Sequence, residues 1–259
     1  MLGTPDQYVV TVAEGSGKAT IARANQLHRL PEVVWAVPNF SHDFRATTDD
    51  PLFGDQWHLH NTGQTGAHVD ADVDMPEAWA IDTGGRSIVI AVLDDGVQTD
   101  HPDLRIFANE DEIADNALDD DGNGWIDDGN GWDFFDGDDD PNPATDFDNH
   151  GTAVAGVAAA VGSNAIGVTG AAQNVRVLPI KIARDETGDG QGYADAATIA
   201  EAIYYAAGRT ADGLGTWPAA DILVGSWAGG SPDPVLAAAF DWATTGGRGG
   251  LGAAAFTAA

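Results

Sequence analysis

Two residues in this sequence are placed to move a proton. His150 heads the stretch "HGTAVAGVAAA", in which Gly151, Ala153, Ala155, Gly156 and Ala158 are small enough for a helix to lie close against another backbone. Asp94 closes the apolar run "IVIAVL" and is followed by Asp95 and Gly96, so its carboxylate is delivered at a strand end with a turn behind it. A carboxylate that accepts a hydrogen bond from imidazole Nδ1 fixes the tautomer and leaves Nε2 free to take a proton from a nucleophile. Simpler roles are open to both residues, since strand-end aspartates cap turns and histidines at helix starts serve structure. A phosphate-attacking pair of aspartates two residues apart is excluded, because Val92 and Gly96 stand two away from Asp94.

Positioning the pair requires a scaffold, and the chain from Ser87 onward supplies one. Short apolar runs at "IVIAVL", "VRVLPIKI", "DILVGSW" and "GAAAFTAA" alternate with helical stretches at "GTAVAGVAAAV", "ADAATIAEAIYYAA" and "DPVLAAAFDWATT". That alternation predicts an α/β fold: an open, mostly parallel sheet with helices on both faces and its sites beyond the carboxyl ends of the strands. Residues 1–45 read as a separate small α+β segment. In it "QYVVTV" and "EVVWAVPNF" alternate as strands, the second ending at Pro38, and "GKATIARANQLHRL" is helical. The polar link "RATTDD" leads into residues 46–259.

Acidic residues outnumber basic ones 41 to 11, for a net charge of −30, which excludes nucleic acid and anionic membrane surfaces as partners and favours cations. The excess is concentrated between Glu110 and Asp148, and no Lys or Arg occurs between Arg105 and Arg176. Within that segment "DDDGNGWIDD" offers oxygens at Asp119, Asp121 and Asn123, a turn at Gly124, the Trp125 carbonyl, and carboxylates at Asp127 and Asp128. These are the first two-thirds of an EF-hand-type Ca²⁺ loop. Asn130 stands where the bidentate glutamate belongs, so ligands from Asp136 to Asp140, or simple solvation of the loop, are the alternatives. The absence of cysteine excludes disulfides and thiolate metal sites, and no apolar run reaches the roughly 20 residues of a membrane helix.

Together "AVLDDGVQTDHPDL" and "HGTAVAGVAAA" resemble the aspartate and histidine motifs of the subtilisin-like serine proteases, in the family's order. The resemblance implies that Asp94 is the orienting carboxylate and His150 the general base of a calcium-stabilised endopeptidase. It implies that "LPEVVWAVPNF" ends an inhibitory propeptide and "DPLFGDQWHLHNTGQTG" begins a mature domain, with cleavage between Phe44 and Asp50. Gly190, Gly192 and Tyr193 then form one edge of the peptide site, and Ser226, Trp227 and Ala228 the other. A calcium site is implied at Asp50, Asp103 and Asn164 with the carbonyls of Ile166 and Val168. Asp95 is similar to the second aspartate of the kexin-type convertases, which contacts a basic side chain just before the cleaved residue. The family resemblance also implies a secreted, monomeric enzyme whose partners are protein substrates and its own propeptide.

Two departures stand out. Ala228 replaces a usual glycine, and no residue matches the family's oxyanion asparagine or nucleophilic serine, because Ser87, Ser163 and Ser226 hold other places in the pattern. The expectation is therefore a fragment of an enzyme whose serine lies beyond Ala259. A noncatalytic calcium-binding module with a relic protease site is the alternative.

Overall fold

The computed structural model describes residues 8–11, 17–38, 48–188, 192–229 and 232–258. Its contacts divide into two units, Met1–Arg45 and Ala46–Ala259. In the first, helix α1 (Gly17–His28) forms as the sequence predicts. The two expected strands do not form at residues 8–11 or 33–38. Alternation makes a strand only where another strand takes up its backbone groups. Among the described residues none does, and Val34, Trp35 and Val37 stay exposed.

The second unit opens with the short helix α2 (Met75–Trp79), which begins with a proline in its first turn. The sheet follows: β1 (Val89–Asp94), β2 (Trp132–Asp133), β3 (Arg176–Lys181), β4 (Ile222–Gly225) and β5 (Ala254–Thr257). Their order is β2-β3-β1-β4-β5 and every pairing is parallel. Helices α3 (His150–Ala159), α4 (Ala196–Ala206) and α5 (Pro234–Thr245) make the crossovers.

Central position explains why β1 is apolar on both faces. Val89, Ala91 and Leu93 pack with Ala200, Ile203 and Tyr205 of α4 and Ala239 of α5. Ile90 and Val92 pack on the other side with Ala155 and Ala159 of α3. The helices are started locally: Asp195 accepts the N–H groups of Ala197 and Thr198, and Asp233 accepts that of Val235. Among the described residues no helix is long and apolar enough to cross a membrane.

Candidate functional site

Parallel pairing aligns the carboxyl ends of the strands. In the sheet register Asp94 lies opposite Lys181, and Val92 opposite Val224. Asp94 is thereby presented at the same end of the sheet as the Ser226–Ala228 segment. The Trp227 indole donates to the Leu93 carbonyl at 3.0 Å, tying that segment to the strand that carries Asp94.

His150 opens α3, and its Nδ1 lies 2.8 Å from Asp94 Oδ1. The imidazole side chain is 56 % exposed while Asp94 is 7 % exposed, so the ring is held from the protein side and open on the other. The hydrogen bond to Asp94 raises the His150 pKa above the usual value of 6.5, aided by the Asp94 and Asp95 charges and opposed by burial. Asp94 Oδ1 also accepts the Asp95 N–H at 2.9 Å, whereas Oδ2 is buried without a partner among the described residues.

Helix and strand approach as closely as the small residues suggested. A Cβ on Gly151 would stand 2.4 Å from the Gly96 carbonyl oxygen and 2.8 Å from Asp94 Cβ. Gly96 itself has φ +116°, with the backbone of Asn142 and Pro143 within 3.0 Å of where its Cβ would be, so a side chain is excluded there too. Gly156 is different, because the nearest atom to its added Cβ is 3.9 Å away.

Asp95 has a role the sequence reading missed. The sequence reading placed it against a basic side chain of a substrate; in the structure it is buried, Oδ1 accepts the Gly151 N–H at 2.7 Å, and Oδ2 accepts the His150 N–H at 3.1 Å. It thus fastens the positive end of α3 to the end of β1. Burial and the charges of Asp94 and Asp148 push its pKa up despite those N–H bonds. The buried Asp148 holds the approach to the helix by accepting the N–H groups of Ala144, Thr145 and Asp185.

Of the expected peptide edges, Gly190 lies outside the described residues. Gly192 and Tyr193 are exposed, and Ser226 and Trp227 are half-buried with Ala228 exposed. A further pair at this end of the sheet was not legible: buried Lys181 donates to Asp133 at 2.6 Å, and Asp136 joins Lys181 to Arg184.

The structure brings Asp50, Asp103 and Asn164 together. Asp50 Oδ1 accepts the Asn164 N–H at 3.0 Å, Asn164 Nδ2 donates to Asp103 Oδ1 at 2.8 Å, and Asp103 Oδ2 accepts the Val168 N–H at 3.2 Å. Against burial, hydrogen bonds from Thr48, Thr169, Asn164 and Ser163 lower the Asp50 pKa, which keeps it charged. Asp50 and Asp103 are both buried, and no Lys or Arg pairs with either among the described residues. Two carboxylates, the Asn164 amide and the carbonyls of Ile166 and Val168 are a hard-oxygen donor set, which fits calcium.

In the acidic loop the expected ligands make hydrogen bonds of several kinds. Asp127 turns to the N–H groups of Asn116 and Ala117, and Asn123 donates to Asp121 and Asp128. Asp128 is fully buried and accepts from Asn109, Asn123 and the Tyr205 hydroxyl. Burial, with the Asp121 charge, pushes its pKa up to about 6 against those bonds. Among the described residues Asp119 and Asp121 group with a third carboxylate, Glu112, which the spacing rule did not reach.

Comparison with known proteins adds a lineage to this geometry. The Subtilase family model matches residues 85–255. The chain is 39 % identical over 136 residues to the PC3-like endoprotease variant B of Hydra vulgaris, covering 52 % of this chain and 17 % of that protein. It is 32 % identical over 175 residues to furin of Rattus norvegicus, covering 64 % and 19 % respectively. A solved protease of Pseudoalteromonas arctica superposes with a TM-score of 0.56 at 27 % identity, over 82 % of this chain and 58 % of that one. The chain thus spans less than a fifth of the length of either curated relative.

Proposed function

Because this chain belongs to the Subtilase family, with convertase-like endoproteases among its relatives, we propose that it is the base-bearing part of a serine endopeptidase. The 2.8 Å contact between Asp94 and His150 at the carboxyl end of the central strand carries this reading. Asp94 holds the proton on Nδ1, so Nε2 faces outward as the base. Nε2 removes the proton of a serine hydroxyl as its oxygen attacks the scissile carbonyl, then returns it to the leaving amine. Asp94 stabilises the imidazolium between the two transfers.

Within these 259 residues no residue matches the family's nucleophilic serine or oxyanion donor, so the 259 residues alone are expected to hydrolyse no peptide. Segments 190–193 and 226–228 flank an extended substrate, and Asp95 acts on His150 from behind rather than on the substrate. Calcium at Asp50, Asp103 and Asn164 clamps the start of the catalytic unit to the loop after α3. Residues 1–45 are the propeptide, and the protein works in the secretory pathway or outside the cell.

In the full-length protein Asp94→Asn is expected to lower kcat on a peptide substrate by about 10⁴, the penalty for the wrong tautomer. A loss below tenfold removes Asp94 from this role. A full-length protein with no peptidase activity, and no change on His150→Ala, supports the noncatalytic module instead.

A further inference from the structure

We propose a second calcium site, built by Glu112, Asp119 and Asp121 on the segment between β1 and β2 and independent of the Asp94–His150 pair. Each of the three offers a carboxylate oxygen, and these oxygens lie within 4.8 Å of one another. Oxygens bound to one Ca²⁺ at about 2.4 Å lie no more than about 4.8 Å apart, so the group is of the size that a single ion spans.

Glu112 is the observation that separates this group from an ordinary acidic surface. It is 9 % exposed, and its Oε1 accepts the N–H groups of Asp120 and Asp127 at 3.3 Å. Its Oε2 is buried with no hydrogen-bond partner among the described residues. A buried carboxylate oxygen without a donor is costly unless a cation or a proton meets it. No salt bridge among the described residues brings a Lys or Arg to any of the three.

The group is also held in place. Asp119 accepts the N–H groups of Gly122, Asn123 and Gly124, which folds the loop around it. Trp125 is buried against Tyr205 of α4 with ring centroids 4.8 Å apart, and Asp128 receives the hydroxyl of the same tyrosine at 2.8 Å. The loop is therefore seated on the core, and its carboxylates cannot swing apart to relieve their repulsion. Calcium suits a group of three protein carboxylates better than magnesium, which dehydrates reluctantly and is usually held through one or two carboxylates with several waters.

The test is calorimetric titration of chelator-stripped full-length protein with CaCl₂, in wild type, Glu112→Gln, Asp119→Asn and Asp103→Asn. Glu112→Gln keeps the size and the acceptor Oε1 while removing the charge. The expected result is one fewer calcium equivalent, or at least a tenfold weaker step, in both Glu112→Gln and Asp119→Asn. Asp103→Asn should lose a different step, which reports on the site at Asp50 separately. Circular dichroism checks folding, and if Glu112→Gln is unfolded, Asp119→Asn decides. Unchanged stoichiometry and affinity in the folded variants would overturn the proposal and leave Glu112 as a protonated buried acid.

Discussion

Replacing Gly151 with alanine tests the placement of the catalytic pair most directly. The new Cβ would meet the Gly96 oxygen at 2.4 Å, so the head of α3 must retreat by about 1 Å to reach ordinary van der Waals contact. Retreat carries His150 with it, and a 2.8 Å hydrogen bond stretched to about 3.8 Å is no longer one. It also pulls the Gly151 N–H off Asp95, now at 2.7 Å. Overpacking costs about 1–3 kcal/mol, and losing a hydrogen bond to a charged group about 1.5–3 kcal/mol. Alanine's better helix propensity returns up to about 1 kcal/mol. The variant should therefore be less stable by about 1.5–6 kcal/mol in denaturant unfolding. In the full-length enzyme a misplacement of about 1 Å should lower kcat on the order of 10²-fold. The His150 pKa, followed by NMR, should fall towards 6.5 as the Asp94 bond is lost. A loss under about 1 kcal/mol with an unmoved His150 pKa would refute the tight approach of α3 to β1.

The His150 pKa is raised by Asp94, so the neutral base that catalysis needs appears only as pH rises through a value above 6.5; full-length activity should rise there, and the inflection should move down in Asp94→Asn. The same shift means that the charged pair stabilises the fold below about pH 6.5 and ceases to do so as pH climbs through the folded pKa. Lys181→Met leaves the Asp133 charge buried and should cost about 3–5 kcal/mol in unfolding, whereas Lys181→Met with Asp133→Leu should recover most of it. A single-variant loss below about 1 kcal/mol would show that water reaches the site.

What could be read in advance follows from how locally each feature is encoded. Strands β1 and β3 were legible because burial on both faces leaves continuous apolar runs, whereas β4 and the largely exposed β5 showed as shorter apolar runs. The two residues of β2 gave no such run and lay hidden in the acidic segment. His150 and Asp94 were legible because each sits beside small or turn-forming residues that let α3 and β1 approach closely. The duty of Asp95 was not, because its acceptor role depends on N–H groups 55 and 56 residues away. Glu112 was missed for a related reason: a loop rule counts forward from its first aspartate, and this ligand comes from upstream. The residues 33–38 misled in the opposite direction, since alternation states what a strand would look like and says nothing of whether a partner exists.

The all-parallel sheet also fixes how this chain must reach its native state. Its central strand has no neighbour from nearby sequence: the Val89 N–H meets its acceptor Asp221 only across 132 residues. Backbone entropy must be surrendered over that whole span before the first lasting contact of β1 with β4 returns anything, which makes nucleation slow. The span includes a segment without any positive side chain between Arg105 and Arg176, whose self-repulsion swells the unfolded chain and lengthens the search. Divalent cations that condense on that segment act on the rate of folding as well as on its end point. Ionic conditions during synthesis thus decide how long the strand edges stand open to other chains.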